Sequence, residues 1–198
     1  MRFSNKCGIQ IFFGMIGSGK TTFAASIARK ALKHHIRVFS NMPIKGAYKL
    51  DLADLGHYDM DNSILLIDEA GIDFDNREFS KNFKDKKRLE FFKLIRHCHS
   101  AIYLFSQSWS DMDCKIRNLA GKYWYVKRSL IPWTVCAIPV KKSFGINEHE
   151  KKPDDIYSLP HPFIRPFVTA RTFGPLSWSY FDSWEHEPYP KKEYELWS

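Results

Sequence analysis

The chain has 198 residues, 30 Lys and Arg against 22 Asp and Glu, and a formal net charge of +8, with a pI near 9.3; this length supports one main domain with a well-buried core. The positive excess favours a polyanionic partner, nucleic acid or a membrane surface. Four scattered cysteines (Cys7, Cys98, Cys114, Cys136), no N-terminal signal and no apolar run near the roughly 20 residues of a membrane helix argue against a disulfide scaffold and a membrane-spanning chain, and predict a cytoplasmic setting.

In chain order, the apolar run Ile9 to Phe13 predicts a strand, and it leads into Gly14-Met15-Ile16-Gly17-Ser18-Gly19-Lys20-Thr21-Thr22. Gly14, Gly19, Lys20 and Thr21 satisfy the phosphate-loop pattern. A loop that wraps a triphosphate needs glycines for its tight backbone, N–H groups turned to the anion and a helix start behind it. Residues 14–22 are therefore the expected nucleotide cradle, with Lys20 reaching the β/γ-phosphates and Thr21 offering its hydroxyl to Mg²⁺.

Residues 20–35 predict a helix with Ala24, Ile27, Ala28, Ala31 and Leu32 on one face and Lys30 and Lys33 near its C-terminal end. Residues 36–42 predict a short strand, and 44–62 a loop with a short helix around Asp51 to Leu55. Ser63 to Glu69 is a wholly apolar strand ending in two acids, as expected of a central parallel strand with carboxylates at its C-terminal edge. Beside a phosphate loop, Asp68 belongs next to Mg²⁺, and Glu69 can orient and deprotonate the attacking water.

A polar and aromatic stretch, 71–84, precedes a helix predicted over 85–97, with Leu89, Phe92, Leu94 and Ile95 inward and Lys86, Lys87, Arg88 and Lys93 outward. His97, Cys98, His99 and Cys114 include zinc-ligand types but lack paired spacing. Ala101 to Gln107 predicts another buried strand, whose terminal Gln107 can sense the γ-phosphate or hold the water; the alternative is a hydrogen bond to a loop. A short helix over 111–119 and a strand over 122–127 follow.

The last third differs. Residues 132–140 predict a hairpin partner for the 122–127 strand, 144–162 an exposed loop, 163–172 and 177–184 short extended pieces, and 191–198 a polar tail. The expected architecture is an α/β three-layer sandwich around a mainly parallel sheet, with a core over 1–128 and a β-rich extension over 129–198.

The succession GMIGSGKTT, SILLIDEAG, RHCHSAIYLFSQSWSDMDCKIRNL and a YxYVKR strand resembles the N-terminal ATPase domain of the zonula occludens toxin (Zot) family, which includes the filamentous-phage assembly and export protein. That family is a branch of the FtsK/HerA-like P-loop motors. The resemblance implies a RecA-like (ASCE) P-loop NTPase that uses ATP and Mg²⁺ to drive phage genome packaging, virion assembly or DNA export as a homo-oligomeric ring. It also implies Lys20 and Thr21 as phosphate and metal residues, Asp68 and Glu69 as metal-associated acid and base, Gln107 as sensor, and Arg96 or Arg117 as a trans-acting finger. Many family members continue into a membrane-spanning helix; with none here through Ser198, contact with a membrane or assembly complex is expected to be peripheral.

Two other classes share the loop. Small-molecule kinases carry GxxGxGKT, but they usually lack an Asp-Glu strand end, since no water needs a glutamate base, and their lids carry several arginines where residues 110–128 offer Arg117 and Arg128. A nucleotide-gated assembly protein would bind ATP with negligible turnover.

Overall fold

The structure is a computed structural model; it describes residues 7–68, 83–108, 112, 114–146 and 153–181. Strand β1 (Gly8–Phe13) leads into helix α1 (Lys20–Lys33), followed by β2 (Arg37–Ser40), the short β3 (Tyr48–Lys49) and a 3-10 turn at Leu52–Asp54. Next come β4 (Ser63–Ile67), α2 (Phe83–Leu94), β5 (Ala101–Ser106), α3 (Cys114–Leu119) and β6 (Lys122–Arg128). The remainder holds β7 (Thr134–Ile146), β8 (Pro153–Ser158), the one-turn α4 (Arg165–Val168), β9 (Ala170–Phe173) and 3-10 turns at Gly174–Leu176 and Trp178–Tyr180.

The sheet order is β3-β2-β4-β5-β1-β6-β7-β8, with β9 also paired to β7. Strands β3 through β6 run parallel, and β7 joins β6 antiparallel. The sequence order of the central strands is thus not their spatial order: β5 separates the phosphate-loop strand β1 from the acid-terminated β4. The acid lies two strands from the loop as a result.

Alternation along the pleat builds two cores. In β4 all five residues are buried: Ile64 and Leu66 face α1, whereas Leu65 and Ile67 face the cluster that holds Phe91, Phe92, Ile95 and Ile116 of the α2–α3 side. That double burial is why the segment reads as a continuous apolar run. Ala24, Ala28 and Ala31 are fully buried, and their small side chains let α1 lie close over β2 and β4. β9 then closes on α1 through a Thr172 Oγ1 to Ser26 Oγ hydrogen bond of 2.6 Å.

Four local expectations are corrected. Residues 144–162 are not a loop throughout: β7 runs to Ile146 and pairs antiparallel with β8, Lys141 opposite Ser158 through Ile146 opposite Pro153. Ladder pairing with a neighbour overrides the turn-forming composition there. Residues 163–172 are not wholly extended, because Pro166 sits in the first turn of a helix at Arg165–Val168, where its missing N–H costs nothing; residues 178–180 likewise form a 3-10 turn. On α2, Phe92 and Ile95 are buried and Leu89 packs against the core as expected, but Leu94 is 51% exposed and Phe91 is buried instead.

Candidate nucleotide site

The loop after β1 is gripped from both sides. Phe13 pairs with Ser106 of β5 and with Tyr125 of β6, and the Gly14 N–H donates to the Ser106 carbonyl at 3.2 Å. A Cβ on Gly14 would lie 2.4 Å from the Val126 carbonyl oxygen and 2.9 Å from Ser18 Oγ. Only glycine fits that approach. Gly19 has φ +96, and a Cβ there would also meet Val135 at 2.5 Å; Gly17 has φ +73.

Within this frame the Ser18 N–H donates to the Met15 carbonyl at 3.1 Å, and the Phe23 N–H donates to the Gly19 carbonyl at 2.9 Å to open α1. Gly19 is the N-cap and supplies no side-chain cap, nor does the first turn contain an acid. The positive end of α1 is thereby left available to an anion. Lys20 Nζ donates to the carbonyls of Gly14 at 2.7 Å and Met15 at 3.1 Å, which holds the ammonium at the mouth of the loop. Ser18 Oγ is buried with no partner among the described residues.

Asp68 follows β4 directly. Pleat alternation carries it to the α1 side with Ile64 and Leu66, two strand spacings, about 10 Å, from the β1 edge. Its backbone is clamped by Asn41, whose amide Nδ2 donates to the Asp68 carbonyl at 3.0 Å and whose Oδ1 accepts from the Asp68 N–H at 2.8 Å. Gln107 follows β5, exposed, beside Gly14 in register. Glu69 lies outside the described residues.

The arginines divide between the two ends of the sheet. Arg128 ends β6 three residues beyond the partner of Phe13, and its Nη2 lies 3.7 Å from where a Gly17 Cβ would stand. Arg96 instead packs against Gly8 and Gly121, at the start of β1, about 20 Å of strand from the loop. Arg117 lies on α3, its carbonyl accepting from Tyr123 Oη at 2.7 Å near the start of β6. Neither Arg96 nor Arg117 is at the loop of its own chain.

Among known families, the one described as Zonular occludens toxin (Zot) matches residues 45–152, more than half of the chain. The chain belongs to the Zot family. The match begins beyond the phosphate loop and extends past the 8–128 span over which the motifs carry the resemblance. The N-terminal domain of zonular occludens toxin from Neisseria meningitidis superposes on this Zot-family chain with a TM-score of 0.57 at 16% identity, covering 89% of this chain and 99% of that one. The flagellar accessory protein FlaH from Methanocaldococcus jannaschii has a TM-score of 0.48 at 12% identity, covering 78% and 89%. The genome packaging NTPase B204 from Sulfolobus turreted icosahedral virus 2, in complex with sulfate, has 0.47 at 13% identity, covering 80% and 98%. No curated protein matches the sequence. The fold of this Zot-family chain is that of an α/β P-loop NTPase of RecA-like type.

The residues present fit a magnesium nucleotide. Glycines at 14 and 19 leave a cradle that a Cβ would fill, and the unpartnered Ser18 hydroxyl and the Lys20 ammonium suit phosphate oxygens. Thr21 and Asp68 bring hard oxygen donors, the type Mg²⁺ prefers while it keeps several waters. Among the described residues no group of three or more His, Cys, Asp and Glu could hold a metal, and the side chain of Cys114 is not described.

Sequence reasoning missed Asn41 and the position of Arg128. Both stand one strand over from a motif residue, Asn41 because Ser40 pairs with Leu66 and Arg128 because β6 flanks β1. Strand order would have found them; the spacing of residues could not.

Proposed function

We propose that this Zot-family chain is an ATPase that couples ATP hydrolysis to phage or viral genome packaging, virion assembly or DNA export. The observation that carries this reading is the convergence, at one edge of a parallel sheet, of the Gly14–Thr22 loop and the acid that follows β4. On this reading residues 1–128 are the ATPase core and 129–198 a β-rich extension packed on it.

In the proposed mechanism the loop amides and Lys20 bind the β- and γ-phosphates, while Thr21 and Asp68 hold Mg²⁺, which when bound neutralises the charge that develops on the phosphates. Glu69 takes the proton of the attacking water, and Gln107, beside Gly14, orients that water. Arg128 offers a guanidinium from the same subunit to the phosphate oxygens, a planar fork that bonds phosphate bidentately. Arg96 and Arg117, on the other edge, can serve only a neighbouring subunit. The Asp68-Glu69 pair at a strand end, and a sequence over 110–128 that offers only Arg117 and Arg128 as arginines, favour hydrolysis over phosphorylation of a small molecule.

A ring is supported by the apolar surface around the loop. Met15 and Ile16 are 75% and 81% exposed, and the β6–β7 turn nearby exposes Leu130, Ile131 and Trp133. The +8 charge supports DNA as the polyanion moved. No helix among the described residues is long and apolar enough to cross a membrane, which fits a cytoplasmic or peripheral role.

The test is phosphate release from ATP with and without single- and double-stranded DNA. Stimulation by DNA in the wild type, with Glu69→Gln binding ATP but turning it over at least 100-fold more slowly, is expected. Unchanged turnover in Glu69→Gln would remove Glu69 as base, and phosphate transfer to an added hydroxyl acceptor without release to water would favour the kinase reading.

A further inference from the structure

Among the described residues, one helix on the α1 side of the sheet has too many strands to cover. A helix is about 10 Å wide and strands are spaced at about 4.8 Å, so α1 can roof roughly two of them. It lies over β2 and β4, and β9 borders the far side through Thr172 and Ser26. Between them, over β5, β1 and β6, a cavity of about 680 Å³ remains, within the size range of small-molecule sites.

Its chemistry is specific. The floor is Phe12, Tyr103 and Trp124, with the Phe12 and Trp124 rings parallel within 7° at 5.9 Å between centroids. Trp124 Nε1 donates to Gln10 Oε1 at 2.9 Å, which fixes the indole as a wall. The roof is Phe23, Ile27 and Lys30, spaced on one stripe of α1. Cations stand at the edges, Lys30, Lys122 and Arg171, while no Asp or Glu lines the cavity among the described residues. Lys30 has no hydrogen-bond or ion-pair partner among the described residues.

We infer that this cavity is a second binding site, separate from the phosphate loop, for a small organic anion with a flat aromatic body: rings pack on Phe12 and Trp124, and a carboxylate, sulfonate or phosphate head meets Lys30. Aromatic walls favour ring faces and edges over alkyl chains. A charge-assisted bond at a half-buried cation outweighs one at an exposed lysine. The Lys30 ammonium is held below its ordinary value by burial and then by Arg29, as expected of a cation without a counter-charge.

The test uses the full chain and three probes: 8-anilinonaphthalene-1-sulfonate, its uncharged analogue N-phenyl-1-naphthylamine, and decanoate. Saturable one-to-one binding of the sulfonate, with quenching of tryptophan fluorescence, is expected. Lys30→Glu weakens it at least tenfold, and Ile27→Trp, which fills the roof, abolishes it; a fluorescent ATP analogue binds both variants as it binds wild type, which shows that they are folded. Absence of saturable sulfonate binding overturns the proposal, as does equal affinity for the uncharged analogue or tighter binding of decanoate. Wild-type sulfonate affinity in both variants would place the dye elsewhere and also overturn it.

Discussion

Asn41 and Asp68 are joined by a reciprocal pair of hydrogen bonds: the Asn41 amide donates to the Asp68 carbonyl at 3.0 Å and accepts from its N–H at 2.8 Å. The Asn41 N–H also donates to the Leu66 carbonyl at 3.3 Å, so the ends of β2 and β4 are locked together where Asp68, the proposed metal-side acid, leaves the sheet. Asn41→Ala removes two side-chain bonds worth about 1 kcal/mol each and frees the Asp68 backbone. Turnover of ATP is expected to fall about tenfold with little change in KM, since orientation rather than nucleotide contact is lost. Steady-state kinetics check this, and an effect on KM alone would show that the clamp does not act through Asp68.

The loop glycines differ in what they cost to replace. Gly14→Ala puts a methyl 2.4 Å from a backbone carbonyl, and overpacking of this kind costs about 1 to 3 kcal/mol. At Gly17 the nearest atom is the far end of Arg128 at 3.7 Å, so the φ of +73 is the main penalty, about 1 kcal/mol. Thermal unfolding is expected to rank the variants Gly14→Ala well below Gly17→Ala, with Gly17→Asn nearer to wild type because asparagine tolerates that conformation.

Arg128 is placed over Gly17, whereas Arg96 packs at Gly8 on the opposite edge. Arg128→Ala is expected to lower ATP turnover at least 100-fold in a preparation at any protein concentration, with nucleotide binding within about tenfold of wild type. Loss of activity in Arg96→Ala or Arg117→Ala that is rescued by mixing with Lys20→Ala protein would assign those residues to a neighbouring subunit. Full activity of Arg128→Ala would remove it from the phosphate site.

Lys30 is half-buried with no acid beside it among the described residues, and its ammonium is held below its ordinary value of 10.5 chiefly by desolvation, with Arg29 adding repulsion. The unfolded chain therefore binds this proton more tightly than the folded one, and the destabilising effect is complete below the folded value and relieved as pH rises through it toward 10.5. Lys30→Met is expected to raise the melting temperature at pH 7, by an amount that shrinks as pH approaches 10.5. A gain that is constant with pH would trace to packing instead of charge.

The parts of this molecule legible in its sequence are those whose signal is contiguous. Gly14 to Thr22 announces its loop because glycines, lysine and threonine must follow one another to wrap a phosphate, and Ser63 to Ile67 announces a two-sided strand because the four residues after Ser63 are all apolar. The parts that stayed hidden depend on neighbours supplied by other segments. β8 forms because Lys141 to Ile146 pair with it, although its Pro-Asp-Asp start reads as loop. Asn41 and Arg128 join the loop region only through a sheet order in which β2 flanks β4 and β6 flanks β1. No spacing along the chain contains that information.

The central claim is that the Gly14–Thr22 loop and Asp68 share one magnesium nucleotide, and the most direct measurement is ATP affinity in Mg²⁺ and in EDTA for wild type, Lys20→Ala and Asp68→Asn. Wild type is expected to bind with an affinity strengthened by Mg²⁺. Lys20→Ala is expected to lose binding by at least 100-fold, about 2.7 kcal/mol, and Asp68→Asn to keep nucleotide while losing most of the Mg²⁺ dependence. Wild-type affinity and wild-type Mg²⁺ dependence in both variants would contradict the account.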